Sequence, residues 1–244
     1  MRRELFRTRA AEVTAMAGVA AGQAGFAVMH LTQSDTVDPV ATPVSSYAVT
    51  WPGVLLFPAS VLSLALACAI LAGRGVGLAR EGCIRFLLGA TAVMLVGAAV
   101  FRTGTPESGL TWWAQVHRYT AGAAFVMLTV VAALCAVRMK DADVPEWVRR
   151  GTWWVTALAA STFLTTTVNT FLPAFLDGGD WRGAGQRVLL VVLSALVWML
   201  IANSARVGVR TAEPVRVPAL PATGPAVAAT NAEAGVPAFA GARS

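Results

Sequence analysis

Six apolar runs, 11–31, 53–72, 84–101, 117–137, 151–172 and 188–207, alternate with short polar segments along the chain. Each is close to the roughly 20 residues that a helix needs to cross a hydrocarbon core. The pattern predicts an all-α polytopic membrane protein, a six-transmembrane-helix bundle over residues 11–207, with no room for a soluble domain between spans. Residues 1–10 form a polar lead-in. Residues 208–244 are rich in Ala, Pro, Val, Gly and Thr without periodicity and are expected to be a disordered tail.

Departures from uniform apolarity locate the packing. Gly18, Gly22 and Gly25 put small residues on one stripe of the first span, a pattern that lets another helix approach closely where lipid removes the hydrophobic drive between helices. Packing within the chain is the expected use. The fifth span carries Ser161, Thr162, Thr165, Thr166, Thr167, Asn169 and Thr170. Thr162, Thr166, Asn169 and Thr170 share a face, and hydroxyls bonding back to their own helix account for them more simply than a polar path. Trp51, Trp112, Trp113 and Trp181 mark one predicted interface and Trp147, Trp153 and Trp154 the other.

Charge orients the bundle. Of the nineteen Lys and Arg residues, only Arg102, Arg118, Arg182 and Arg187 fall on one side, and the other fifteen fall on the opposite side. Cytoplasmic loops retain Lys and Arg, so both termini are expected in the cytoplasm of a multi-pass cell-membrane protein. Arg2-Arg3 partly imitates a twin-arginine export signal, but Glu12 interrupts the start and five further spans follow, so the first span is expected to be retained. A composition 56% hydrophobic and 13% charged excludes a soluble globule, and the pI near 10.2 reflects basic residues beside span ends. Membrane lipids are the expected partners, with a membrane protein also possible; nucleic acid is not expected. Cys68, Cys83 and Cys135 fall on the reducing side without CxxC spacing, so no disulfide is expected.

Spans two to six hold no ionisable group near mid-membrane, which disfavours pumps and ion channels. Chemistry-bearing residues gather on the predicted outer face instead. Both histidines, His30 and His117, lie there with Tyr47, Ser46, Asp35, Asp38, Gln186 and Arg187. Two histidines and a carboxylate are a permissible zinc set. His30, His117 and Asp35 or Asp38 therefore form the metal alternative, although no HxxxH or HExxH spacing occurs. Arginines at this depth can grip phosphate or serve as snorkelling anchors.

Ser45-Ser46-Tyr47-Ala48 followed by Gly53, Pro106, His117, and Gly183-Ala184-Gly185-Gln186-Arg187 resemble the six-helix bacterial and archaeal membrane family catalogued as domain of unknown function 998. The resemblance covers about residues 11–207 and implies an integral membrane protein without a general activity. The Phe-Pro associated with the end of span three is represented only by Phe101 and the more distant Pro106. Membrane hydrolases of the alkaline ceramidase and progestin-receptor type hold zinc with three histidines, a set that two histidines cannot supply. Three functions stay open: binding of a lipid headgroup or membrane partner through His117, Gln186, Arg187, Ser46 and Tyr47 with no cofactor; metal-assisted lipid hydrolysis with zinc; and carriage of a neutral or amphipathic molecule.

Overall fold

The computed structural model describes residues 2–104, 111–142, 144–172 and 180–212. Of the expected tail 208–244, residues 208–212 continue the last helix and residues 213–244, like Pro106 and Pro173, lie outside the described residues. Six long helices, α1 Arg2–Thr32, α2 Gly53–Arg74, α3 Gly82–Val100, α4 Trp112–Arg138, α5 Glu146–Phe171 and α6 Arg182–Ala212, make an all-α fold, with no strand among the described residues. Four of them, α2, α3, α4 and α6, are long and apolar enough to cross a membrane. The other two are more polar: Glu12, Gln23 and His30 dilute α1, and a run of hydroxyls dilutes α5.

The helices extend beyond the apolar runs. Hydropathy finds the middle of a span, whereas backbone hydrogen bonding continues through polar flanks until a cap or proline stops it. Thr111 caps α4 by accepting from the Ala114 amide at 3.3 Å. Pro52 and Pro145 precede α2 and α5. His117 and Arg187 consequently stand more than a turn inside their helices, away from the free amides at the helix starts that span boundaries alone would have placed beside them.

Consecutive helices pack in sequence, and α6 closes the ring on α1 and α2. The contacts show alternating direction: the start of α4 meets the end of α3 through His117 and Ala98, and the start of α6 meets the end of α5 through Gly185 and Thr166. The α1–α2 seam is the closest. A Cβ on Gly18 would stand 2.7 Å from the Ser63 carbonyl oxygen, one on Gly22 would stand 2.9 Å from the Ser60 carbonyl oxygen, and one on Gly25 would strike the Ser60 hydroxyl. The glycine stripe is therefore spent on α2, within the chain. Val19, Ala67, Leu88, Val131, Ala132 and Leu196 fill the core behind it.

Most residual polarity inside the bundle is satisfied locally. Thr91, Thr152, Thr156 and Thr170 donate to the carbonyl four residues earlier. Gln23 accepts from the Trp198 indole across α1 and α6 at 3.2 Å. The end holding the 75–81 connection carries Arg74, Arg80, Arg85, Arg138, Lys140, Arg149 and Arg150, and Arg74 pairs with Glu12 at 2.7 Å. The other end carries Arg102, Arg118, Arg182 and Arg187.

Candidate functional site: a cavity beneath the first connection

The segment between α1 and α2 folds back over the bundle end through a 3-10 turn, Val44–Val49. Tyr47, only 1% exposed, is its anchor. The phenol oxygen accepts from Arg187 Nη2 at 2.9 Å, which leaves its proton to donate to His30 Nδ1 at 2.9 Å. The Arg187 guanidinium lies 5.3 Å from the Tyr47 ring centroid, and its Nη1 donates to the Thr42 carbonyl at 2.9 Å. Gln186, one residue earlier, accepts from the Val44 amide at 3.1 Å, and the Ala184 amide donates to the Val40 carbonyl at 2.9 Å. One turn of α6 thus ties down the whole connection.

Two glycines make this fit. A Cβ on Gly53 would strike the Tyr47 carbonyl oxygen, and one on Gly183 would strike the Thr42 carbonyl and stand 2.8 Å from that of Pro39. Gln33, 3% exposed, joins the two ends of the connection. In the orientation that satisfies its amide, Gln33 donates to the Tyr47 carbonyl and the Thr50 hydroxyl and accepts from the Gly53 amide at 2.9 Å. Gln33 lies outside the sequence-derived set; a lone amide directly after an apolar run was its signal.

Beneath the connection lies a cavity of about 700 Å³. Its inner wall is apolar, formed by Phe26, Phe57, Leu64, Phe125, Phe163 and Leu189. Ser46, His117 and Gln186 line it, together with Thr166, Thr167 and Thr170 of α5 and the cations Arg118 and Arg182. Among the described residues no Asp or Glu lines it. Arg187 and Tyr47 stand behind the wall, where they hold the connection in place. Of the five residues drawn from the sequence, three line the cavity and two support it.

The local chemistry of the lining follows from its bonds. His117 Nδ1 faces two carbonyl oxygens, Ala98 at 2.8 Å and Phe101 at 2.9 Å, so it carries the proton and satisfies acceptors that the end of α3 leaves open. Nε2 remains as the ring acceptor available to a molecule in the cavity. Gln186 spends its amide oxygen on Val44, which leaves its nitrogen as a donor. The Thr166 hydroxyl is enclosed against Gly185 and has no hydrogen-bond partner.

The histidines and aspartates of the metal alternative serve separate tasks. His30 is bound to Tyr47 and His117 to α3, whereas Asp38 accepts from the Val40 and Ala41 amides, which hold its carboxyl below the usual carboxylate range. Among the described residues no group of three or more His, Cys, Asp and Glu side chains is placed to hold a metal ion.

A helical bundle with four helices of membrane-crossing character and a lined cavity at one end defines an integral membrane protein of small size. The chain belongs to the DUF998 family, proteins of unknown function, whose sequence pattern matches residues 16–203. No curated protein and no solved structure was found to match it.

Proposed function

We propose that the protein is a six-span cell-membrane protein with both termini in the cytoplasm, and that its cavity binds an anionic lipid headgroup at the outer face. The single observation behind this reading is the composition of the cavity wall. It is apolar within, rimmed by Ser46, His117, Gln186 and threonines, and carries the cations Arg118 and Arg182. Such a surface complements a molecule with an anionic, hydrogen-bonding head and an apolar body. His117 Nε2 would accept from a headgroup hydroxyl, Gln186 would donate, and the arginines would take the phosphate. Arg187 and Tyr47 act as positioning residues through the connection above.

The end richer in Arg and Lys would face the cytoplasm. In intact cells, tags on both termini should resist external protease, and an externally cleaved C-terminal tag would reverse the orientation. The binding test compares lipids co-purified with the wild-type protein and with an Arg118→Gln, Arg182→Gln double variant. Anionic lipid should be enriched over phosphatidylcholine in the first and not in the second. An identical lipid profile in the two would defeat the headgroup reading.

A further inference from the structure

Pro43, Val44, Ser45 and Ser46 of the first connection form part of the cavity wall, so lifting the connection would open the cavity. The bonds that hold it down differ in kind. Gln33, Gln186 and the Ala184 amide make neutral bonds that do not titrate. At Tyr47 the bond has a direction that a proton can reverse. Arg187 has only donors, so the phenol oxygen accepts from its Nη2 at 2.9 Å, and the phenol proton goes to His30 Nδ1, also at 2.9 Å. In this arrangement Nδ1 is the bare nitrogen of a neutral imidazole. Tyr47 is buried, whereas His30 is exposed at the bundle end.

We infer that His30 is a proton-operated latch: when its imidazole takes up a proton, the first connection is released and the cavity opens. What the open cavity admits rests on the headgroup reading above; the latch itself does not. In the imidazolium both ring nitrogens carry protons, so Nδ1 turns from acceptor to donor. The Tyr47 oxygen then faces two cationic donors, and its own buried proton has lost its acceptor, an unfavourable state on both counts. The surrounding charges do not restore the bond. Asp38 holds the Val40 and Ala41 amides and lies within electrostatic reach of Arg187. Asp35 is exposed farther along the connection, and among the described residues neither carboxylate bonds His30. The start of α6 adds a further cation, Arg182, and residues 53–62 of α2 hold no titratable side chain. The fastened state keeps the imidazole neutral and the released state lets it bind the second proton, so acid favours release. Histidine is the side chain whose ordinary titration falls within about pH 5 to 8, the range over which such a latch would work.

The test is hydrogen exchange on the full chain in phosphatidylcholine nanodiscs without anionic lipid, with amide rates corrected for their intrinsic pH dependence. From about pH 8 to about pH 5, protection of the amides in 40–48 should fall at least about tenfold, while those in 88–96 of α3 keep theirs. His30→Asn places a side-chain oxygen near the position of Nδ1 that accepts at either pH, and protection of 40–48 should then stay within about twofold. Should His30→Asn fail to fold, Tyr47→Phe supplies the second measurement: the ring stays, the shared hydroxyl is gone, and the pH response should vanish. Three results overturn the latch: equal wild-type protection of 40–48 at the two pH values, an equal loss in 88–96, or an undiminished pH response in a folded His30→Asn or Tyr47→Phe. The exchange response with no anionic lipid retained at either pH would remove the headgroup reading and keep the latch.

Discussion

Glycine on α1 and glycine on α4 meet opposite surroundings. Gly18, Gly22 and Gly25 press α1 against the α2 backbone, with hydrogen atoms standing where any side chain would collide. Gly122 faces nothing within 4 Å. Small residues thus make a tight seam on one side of the ring and an opening on the other, and what differs is the element opposite. On α2 the facing positions are main-chain oxygens and Leu64; across from Gly122 the space belongs to a cavity. In lipid, where apolar burial gives little net drive between helices, contact of this kind supplies much of the association energy. The glycines of α1 are therefore spent on close helix contact, and Gly122 of α4 on cavity wall.

A matched pair of substitutions tests that contrast most severely. Gly22→Leu drives a side chain into the Ser60 carbonyl and Leu64 and should cost about 3 kcal/mol, the upper part of the overpacking range. Gly122→Leu should leave thermal stability in detergent unchanged within about 0.5 kcal/mol. Equal losses in the two would erase the distinction between the seams. Next in size is Arg187→Ala, which removes donors to Thr42 and to buried Tyr47 and should cost about 2 kcal/mol. Arg187→Lys should recover less than half, since an ammonium cannot reproduce the fork; full recovery would show that charge alone suffices.

A smaller effect of opposite sign belongs to the cavity wall. Thr166→Val replaces an enclosed, unpartnered hydroxyl with a methyl and should raise stability by about 1 kcal/mol. A measured loss would mean that the hydroxyl is satisfied in the membrane and that this part of the wall is as tight as α1–α2. The smallest effect lies at the far end of α5. There hydrogen bonds from Arg149 and Arg150 hold the Glu146 carboxyl down to about 2 from its usual 4.5. A depressed folded pKa contributes stability above 4.5 that is lost as pH falls toward 2. Because Glu146 is exposed, solvent screening keeps that contribution small. Unfolding curves between pH 5 and 3 should drop only slightly, and Glu146→Gln should flatten even that slope.

The all-α class and the family were legible because long apolar runs and short motifs are local properties. Helix ends were less so: Trp112 to Val116 and Glu146 to Arg150 are too polar to register as span yet remain helical behind a cap or proline. Tyr47, Gln186 and Arg187 stood out by residue type, but which of them lines a cavity and which braces its cover depends on contacts across some 140 residues. Sequence could not separate Gly122 from Gly22 at all. A glycine flanked by small residues has the same appearance whether its partner is a backbone or a void. Arg118 was visible as an interfacial arginine, and only the structure showed that its guanidinium packs on Phe171.

The long reach of the Arg187 bonds also sets an order of events during synthesis. Tyr47 leaves the ribosome 140 residues before Arg187, so the first connection is held only by the early bonds of Gln33 and His30 until the final helix arrives. Chains stopped before α6 would keep their early hairpins and lack a closed cover. Maturation of the cavity is therefore a terminal step, and a membrane population caught midway through translation would hold bundles that are inserted and still unroofed.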